Sequence, residues 1–191
     1  MEARRLYRLF SDFNCPFCYA LHERLHTLNL IEQCEWHGVE HAPYLPSPMK
    51  PWQGSVGAEL RHEVMLVRRL EPDLPIALPP GKPNTRAAIE RAIASLQDSR
   101  TRGMRFIREA YRAFWYEGRD LSDRQVLDDL AGDSSTLEPA DQLRRRAKEW
   151  ETAWQTTGQA GVPMIVSVEG NLLIGCVPTE DLVKFFGGKT R

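Results

Sequence analysis

Two cysteines separated by two residues are the strongest chemical signal in this chain, in the segment Cys15-Pro16-Phe17-Cys18. Thiols at this spacing can close a disulfide with each other, and the same spacing also occurs as half of a zinc site. The two other cysteines, Cys34 and Cys176, lie well apart in the sequence. The spacing alone therefore indicates either thiol–disulfide exchange or metal binding.

The position of the pair at the start of a helix favours redox chemistry. Apolar residues recur with helical spacing over residues 16–30, and proline fits the first helical position because its fixed φ is helical. Cys15 then stands at the helix N-terminus, where free N–H groups and the helix dipole stabilise a thiolate. We predict a lowered pKa for Cys15 and assign it the attack on a disulfide, with Cys18 as the resolving thiol. Phe17 carries no charge, so the helix terminus is expected to supply most of this stabilisation.

The segment Gly161-Val162-Pro163 is the second candidate element of the site, directly before a β-rich run that starts at Met164. A proline at a strand start donates no ladder hydrogen bond. A cis Val162–Pro163 bond would hold the chain in a tight bend, whereas a trans proline beginning an edge strand is the simpler alternative. Because this segment occurs in the same chain as the cysteine pair, we favour the cis bond.

The order of predicted elements indicates an α/β fold. A strand at residues 6–10, the first helix and a second strand at residues 35–41 form a βαβ unit. A proline-rich segment and several amphipathic helices follow, one of them with Asn84 as its expected N-cap. Two strands at residues 164–168 and 172–174, joined by a tight turn, and a last helix complete the chain.

Composition narrows the range of functions. The 191 residues carry a formal net charge of -1, which does not indicate binding to nucleic acid or to an anionic membrane. The start, MEARRLYRLFSDF, lacks the apolar stretch of a signal peptide, and no segment reaches the length of a membrane span. We therefore expect a cytoplasmic protein. In that compartment structural disulfides are disfavoured, so a close cysteine pair favours redox or metal chemistry.

The chain resembles the DsbA-like thioredoxin superfamily along nearly its whole length, in the stretches FSDFNCPFCYA, PNTRAAIERA, REAYRAFWYEGRDLSD and GVPMIV…LLIGCVPTEDL. The likeness is closest to the FrnE-type and 2-hydroxychromene-2-carboxylate isomerase-type branches. It implies an α/β thioredoxin fold (βαβ…ββα) with an all-helical insertion domain. The thioredoxin-like domain would comprise residues 1–45 and 158–191, and the insertion residues 46–157.

The same resemblance implies the site. Cys15 and Cys18 would form the redox-active disulfide, with no bound cofactor, and a cis Pro163 would face them. The backbone of Val162 would pair with an extended substrate, and we assign Pro16 and Phe17 to the same substrate contact.

The branches differ at the first site position. Glutathione-using isomerases and kappa-class transferases are similar in architecture but carry a serine-type residue there, whereas this chain has Cys15 followed by a resolving Cys18. We therefore expect a disulfide oxidoreductase or isomerase acting on protein or small-molecule disulfides, with glutathione as a candidate co-substrate. Cys176 lies in a loop that approaches the thiol site in those branches, so it is either a third redox thiol or, as we favour, an inert buried cysteine.

Rival interpretations stay open at this stage. A glutathione-dependent transferase or isomerase is one, and a redox-regulated binding module using the groove beside Pro163 is another. Zinc is the third, although no second C-x-x-C or paired-histidine motif supports it. Its ligands would be Cys15, Cys18 and His22, with Cys34, His37 or His41 as the fourth. Otherwise the five histidines are interpreted as surface or structural: His22, His26, His37, His41 and His62. Oligomeric state, monomer or homodimer, and the direction of electron flow stay open as well.

Overall fold

A four-stranded mixed sheet forms the base of the molecule, in the order β2-β1-β3-β4. The central strand β1 (Tyr7–Ser11) runs parallel to β2 (Cys34–Gly38) and antiparallel to β3 (Met164–Val166). β4 (Leu172–Ile174) pairs antiparallel with β3 at the edge. The computed structural model describes residues 6–52, 55–132 and 139–188.

Helices connect the strands as a thioredoxin fold requires. α1 (Pro16–Thr27) and a short 3₁₀ turn (Ile31–Gln33) carry the chain from β1 to β2, a crossover between parallel strands. α7 (Thr179–Phe185) follows β4. The predicted α/β thioredoxin fold, βαβ then ββα with helices inserted between, is confirmed.

The helices between β2 and β3 share a core with the sheet. They are α2 (Val56–Leu70), α3 (Arg86–Asp98), α4 (Arg100–Trp115), α5 (Arg124–Ala131) and α6 (Ala140–Gln155). One continuous buried cluster contains Leu9 of β1 and Trp36 of β2 together with Ile89 of α3 and Ile107 of α4. The division into a discontinuous domain, residues 1–45 and 158–191, and an insertion of residues 46–157 therefore stays a prediction.

The end of α1 differs from the sequence prediction, which extended this helix to Leu30. Asn29 adopts a positive φ of 55°, a conformation that stops a helix and that asparagine tolerates better than most residues. The N–H of Leu30 donates to the carbonyl of Leu25 at 2.9 Å, and the N–H of Asn29 donates to that of His26 at 3.0 Å. This pair of bonds is the Schellman arrangement, so the helix ends at Thr27.

The second strand is also shorter than predicted. β2 ends at Gly38, so His41 lies in the loop that follows, on the side of the sheet where α1 begins. The N-cap of α3 is Thr85 rather than Asn84. The Oδ1 atom of Asn84 instead accepts from the N–H of Arg86 at 3.0 Å, and the Thr85 hydroxyl makes no cap hydrogen bond.

Within the described ranges, no helix has the length and apolar character needed to cross a membrane.

Candidate active site

Cys15 occupies the N-cap position of α1, with φ −104° and ψ 119°, and Pro16 is the first helical residue. The carbonyl of Cys15 accepts from the N–H groups of Cys18 at 3.1 Å and Tyr19 at 3.2 Å, which begins the helical ladder. The chain reaches this position from β1 through a turn in which the N–H of Cys15 donates to the carbonyl of Asp12 at 3.2 Å. The sequence prediction of a helix beginning at Pro16 is confirmed.

The two thiols are both free and differ in depth. The residue Cys15 is 6% exposed and Cys18 is 1% exposed. The thiol of Cys15 donates to the carbonyl oxygen of Val162 at 3.7 Å, whereas the Sγ atom of Cys18 accepts from the N–H of Asp12 at 3.4 Å. Cys15 therefore faces the segment before β3, and Cys18 faces the interior.

The surroundings shift the pKa values of the two thiols in opposite directions. A hydrogen bond from the thiol of Cys18 lowers the pKa of Cys15, and this effect together with the positive charges of His41 and Lys82 outweighs the burial that would raise it. Burial raises the pKa of Cys18, and its hydrogen bond and charge interaction with Cys15 raise it further. The arrangement thus favours one thiolate, on Cys15, beside a protonated Cys18.

The segment around Pro163 faces this pair. The Val162–Pro163 peptide bond is cis, and the carbonyl of Pro163 accepts from the N–H of Gly175 at 2.8 Å, just beyond β4. Of the residues assigned to substrate contact, Val162 and Phe17 are half-buried, and Pro16 and Pro163 are buried.

The sequence pattern does not indicate the polar pair of Asp12 and His41, which lies next to the turn that carries Cys15. Asp12 is fully buried, and its Oδ2 atom accepts from the Nδ1 of His41 at 2.7 Å. Burial opposes protonation of His41, but the hydrogen bond and charge of Asp12 outweigh it and raise the pKa of this imidazole. His41 is thus a partly buried histidine held by a buried carboxylate, and its charge and that of Lys82 act on Cys15 although Phe17 carries none.

The only sequence signal for this pair was an aspartate three residues before Cys15. His41 is 29 residues further along the chain, and pairing over that separation depends on the tertiary fold. The residues around His41 in the sequence do not predict its pairing with Asp12.

Helix α4 closes the inner side of the site. The hydroxyl groups of Ser11 and Tyr111 lie 2.6 Å apart behind Cys18, and the indole N–H of Trp115 donates to the carbonyl of Phe13 at 2.8 Å. Burial raises the pKa of Tyr111 well above its ordinary value, so it is a neutral hydroxyl there. The inserted helices thus form part of the wall around the dithiol.

The two remaining cysteines differ from the pair. Cys34 is buried on β2, and burial raises the pKa of its thiol to about 12. Cys176 is half-buried, and its sulfur accepts from the guanidinium of Arg24 at 3.4 Å. Burial raises the pKa of Cys176 too, so neither of these thiols is favoured as a thiolate.

The zinc ligand set is not assembled. Among the residues that the structure describes, no group of three or more histidine, cysteine, aspartate or glutamate side chains has an arrangement that could hold a metal ion. His22 is fully buried, and Cys34 donates its thiol proton to the carbonyl of Leu30 at 3.7 Å.

Solved structures with the same fold include a protein from Nitrosomonas europaea described as a putative protein disulfide isomerase, at 16% identity and a TM-score of 0.75, covering 95% of each chain. The cytosolic disulfide reductase DsbM from Pseudomonas aeruginosa, solved with GSH, is 16% identical with a TM-score of 0.69 and covers 95% of this chain and 97% of its own. A 2-hydroxychromene-2-carboxylate isomerase is 16% identical with a TM-score of 0.63, covering 95% of this chain and 94% of its own.

Comparison with curated proteins gives no match. The family model for the DSBA-like thioredoxin domain, in contrast, matches residues 8–187, a range that contains the whole sheet from Arg8 onward, the cysteine pair and the segment around Pro163. With this match and the fold in agreement, the chain belongs to the DSBA-like thioredoxin domain family.

Proposed function

We propose that the protein is a thiol–disulfide oxidoreductase that acts on protein or small-molecule disulfides through Cys15 and Cys18. The observation that carries this proposal is the placement of two thiols at one helix N-terminus, with Cys15 at the N-cap facing Val162 and Cys18 turned to the interior. The directions of the pKa shifts, lowered for Cys15 and raised for Cys18, agree with it. A nucleophile that is ionised and a neighbour that keeps its proton until it is needed are what stepwise disulfide exchange requires.

The exchange proceeds in two displacements. A lone pair of the Cys15 thiolate forms a bond to one sulfur of the substrate disulfide, and the other sulfur leaves with the bonding pair and takes a proton from water. Cys18 then passes its proton to water and attacks Cys15, which releases the first substrate sulfur as a thiolate. The substrate disulfide has gained two electrons, and Cys15 and Cys18 are joined as a disulfide. Oxidation of a substrate dithiol is the same sequence reversed.

The substrate lies along the segment of Val162 and Pro163 and against Phe17 and Pro16. One contact and one exposure support this placement. The Cys15 thiol points at the carbonyl of Val162 at 3.7 Å, and Val162 and Phe17 both retain exposed surface. An extended peptide with a disulfide over Cys15 would thus bring its backbone to the Val162 peptide group.

Glutathione is the co-substrate that we propose for restoring the dithiol, in a reducing compartment such as the cytosol. Support comes from the cations His41 and Lys82, whose charges act on Cys15 and suit an anionic thiol, and from DsbM, a fold neighbour solved with GSH. A glutathione-dependent transferase or isomerase is the second candidate function. Its support is the fold neighbour of that isomerase type, and against it stands a cysteine rather than a serine at position 15.

The test is an insulin-reduction assay with glutathione as the reductant, run beside refolding of a scrambled disulfide protein. Cys15→Ser is expected to lose both activities, and Cys18→Ser to accumulate mixed disulfides with substrate or glutathione. Cys176→Ser is the matched control, since it removes a half-buried thiol outside the pair, and it keeps activity. Full activity of Cys15→Ser would overturn the proposal. Absence of both activities in the wild type, with partner binding that Cys15→Ser leaves unchanged, would instead support a binding module.

A further inference from the structure

Asp12 is a fully buried acidic residue in the turn before the dithiol, and the structure surrounds its carboxylate with donors. Its Oδ1 atom accepts from the hydroxyl of Thr85 at 2.7 Å and from the N–H of Asn14 at 3.5 Å. Its Oδ2 atom accepts from both the backbone N–H and the Nδ1 of His41, at 2.9 Å and 2.7 Å. A carboxylate with no exposed surface requires such partners, because burying an unpaired charge lowers the free energy of unfolding by roughly several kcal/mol.

His41 is fixed in one orientation by this carboxylate. Two bonds from one residue to the same oxygen hold both the backbone and the ring, and they leave Nε2 as the nitrogen available on the other side. The side chain retains 25% of its exposure, so the imidazole is neither sealed in the core nor free in solvent. A histidine oriented by a buried aspartate is stabilised as the imidazolium.

The backbone of Asp12 connects the same residue to both thiols. Its carbonyl accepts from the N–H of Cys15 at 3.2 Å, and its N–H donates to the sulfur of Cys18 at 3.4 Å. The turn that presents the cysteines and the carboxylate that holds His41 therefore belong to the same residue.

We propose, on the basis of the proposed oxidoreductase function, that His41 is the positioning residue that supplies a positive charge to the Cys15 thiolate and that Asp12 and Thr85 hold it there. His41 makes no bond to the substrate in this scheme. It acts by stabilising the ionised nucleophile before attack, and the bonds made and broken are those of the two displacements described above.

The charges of His41 and Cys15 also act on each other, as one interaction seen from either partner. The charge of His41 lowers the pKa of Cys15, and the charge of Cys15 raises the pKa of His41. Lys82, from the segment before α3, also faces both groups: it lowers the pKa of Cys15 and opposes protonation of His41. The charge of Asp12 also acts on Glu40. Glu40 forms an ion pair with Arg86 and accepts a hydrogen bond from the side chain of Asn84.

The first experiment measures the Cys15 thiolate by its absorbance at 240 nm across pH in the full chain. His41→Gln retains a side chain that can hydrogen-bond to Asp12 but carries no charge, and it is expected to reduce the thiolate present at pH 6 by about three- to tenfold. His41→Lys is expected to restore most of it. His62→Gln, at an exposed position on α2, is the matched control and leaves the titration unchanged. An unchanged titration of folded His41→Gln would overturn the proposal.

The second experiment leaves His41 in place. Histidine ring resonances are followed by NMR across pH in the wild type and in Cys15→Ser, because two coupled charges must affect each other equally. The His41 titration is expected to move to lower pH when the thiolate is removed, while that of His62 stays. An identical His41 titration in both proteins would also overturn the proposal. Neither measurement requires turnover. The role of His41 can therefore be confirmed in a protein that does not reduce insulin, and it can fail in a protein that does.

Discussion

The Sγ atom of Cys15 lies 3.7 Å from the carbonyl oxygen of Val162, a residue 147 positions away in the sequence. The thiol is the donor in this contact, so the contact exists only while Cys15 is protonated. Ionisation of Cys15 removes the donor and leaves the carbonyl free to accept from another group. We expect a substrate N–H to take that position at the moment when the thiolate becomes able to attack.

Removing the donor on Cys18 is expected to change the reactivity of Cys15. The Cys18 thiol is the largest influence lowering the pKa of Cys15, through a hydrogen bond. Cys18→Ala deletes that donor, whereas Cys18→Ser replaces it with a hydroxyl. We expect alkylation of Cys15 by iodoacetamide at pH 6, followed by mass spectrometry, to be slower in the alanine variant than in the serine variant by about threefold or more. Equal rates in the two folded variants would show that the hydrogen bond does not matter.

The hydroxyl of Ser11 is expected to assist the second displacement. Burial raises the pKa of Cys18, and the hydrogen bond with the Ser11 hydroxyl lowers it in part. The same hydroxyl lies 2.6 Å from the hydroxyl of Tyr111. Ser11→Ala should therefore raise the pKa of Cys18 further and slow its attack on the mixed disulfide. Acid quenching followed by non-reducing electrophoresis measures this as accumulated mixed disulfide.

Tyr111→Phe is the matched control for that experiment. It breaks the same hydroxyl pair but leaves the Ser11 hydroxyl near Cys18, so it is expected to lower the free energy of unfolding by about 1–2 kcal/mol with little accumulation of mixed disulfide. Similar accumulation in both variants would mean that loss of the Ser11–Tyr111 hydrogen bond, and not loss of the Ser11 contact with Cys18, slows the second displacement.

The local parts of the fold could be predicted from the sequence, because they depend on residues close together in the chain. Pro16 at the first position of α1 and the strand Leu172–Ile174 both follow from short-range pattern and turn chemistry, and both are confirmed. The Schellman ending at Asn29 was available in principle, since asparagine is one of the residues that adopt a positive φ. The periodic leucines of α1 obscured it, because Leu28 continues the apolar spacing one residue beyond Thr27, where the helix ends.

The electrostatics of the site could not be predicted in this way. The pairing of Asp12 with His41 and Thr85 depends on how the loop after β2 and the segment before α3 come together over the turn before Cys15. His41 was placed within β2, where its side chain would have followed the alternation of the strand. The sequence pattern predicts Asn84 as the N-cap of α3 and gives no indication that the hydroxyl of Thr85 donates to Asp12.

Glu23 is expected to make stability depend on acid pH. Burial alone would raise its pKa, but hydrogen bonds from Arg108 and Arg112 of α4 outweigh it and lower the pKa to about 2. A depressed folded-state pKa contributes stability that is fully present above about pH 4.5 and is lost as the pH falls toward 2. Because both arginines are about one-third exposed or more, the contribution is discounted for solvent to about 2 kcal/mol.

Denaturant unfolding at pH 7, 4 and 3 checks this dependence. The difference in unfolding free energy between the wild type and Glu23→Gln should be largest at pH 7 and shrink toward pH 3. Glu59→Gln, at an exposed position of α2, is the control and should unfold as the wild type does at each pH. A difference that is constant with pH would mean that Glu23 stabilises the α1–α4 contact through packing rather than charge.

Gly103 is expected to set the distance between α3 and α4. A Cβ atom at this position would lie 2.4 Å from the Cγ of Leu96 and 2.6 Å from its Cα, so the two helices would have to separate. Gly103→Ala should therefore lower the free energy of unfolding by about 1–3 kcal/mol, although alanine is favoured over glycine by about 1 kcal/mol in an isolated helix. The same change made in a Leu96→Ala background relieves the contact with the side chain and should cost less. Equal costs in the two backgrounds, measured by denaturant unfolding, would place the strain at the helix backbones instead, which approach each other there whatever residue stands at position 96.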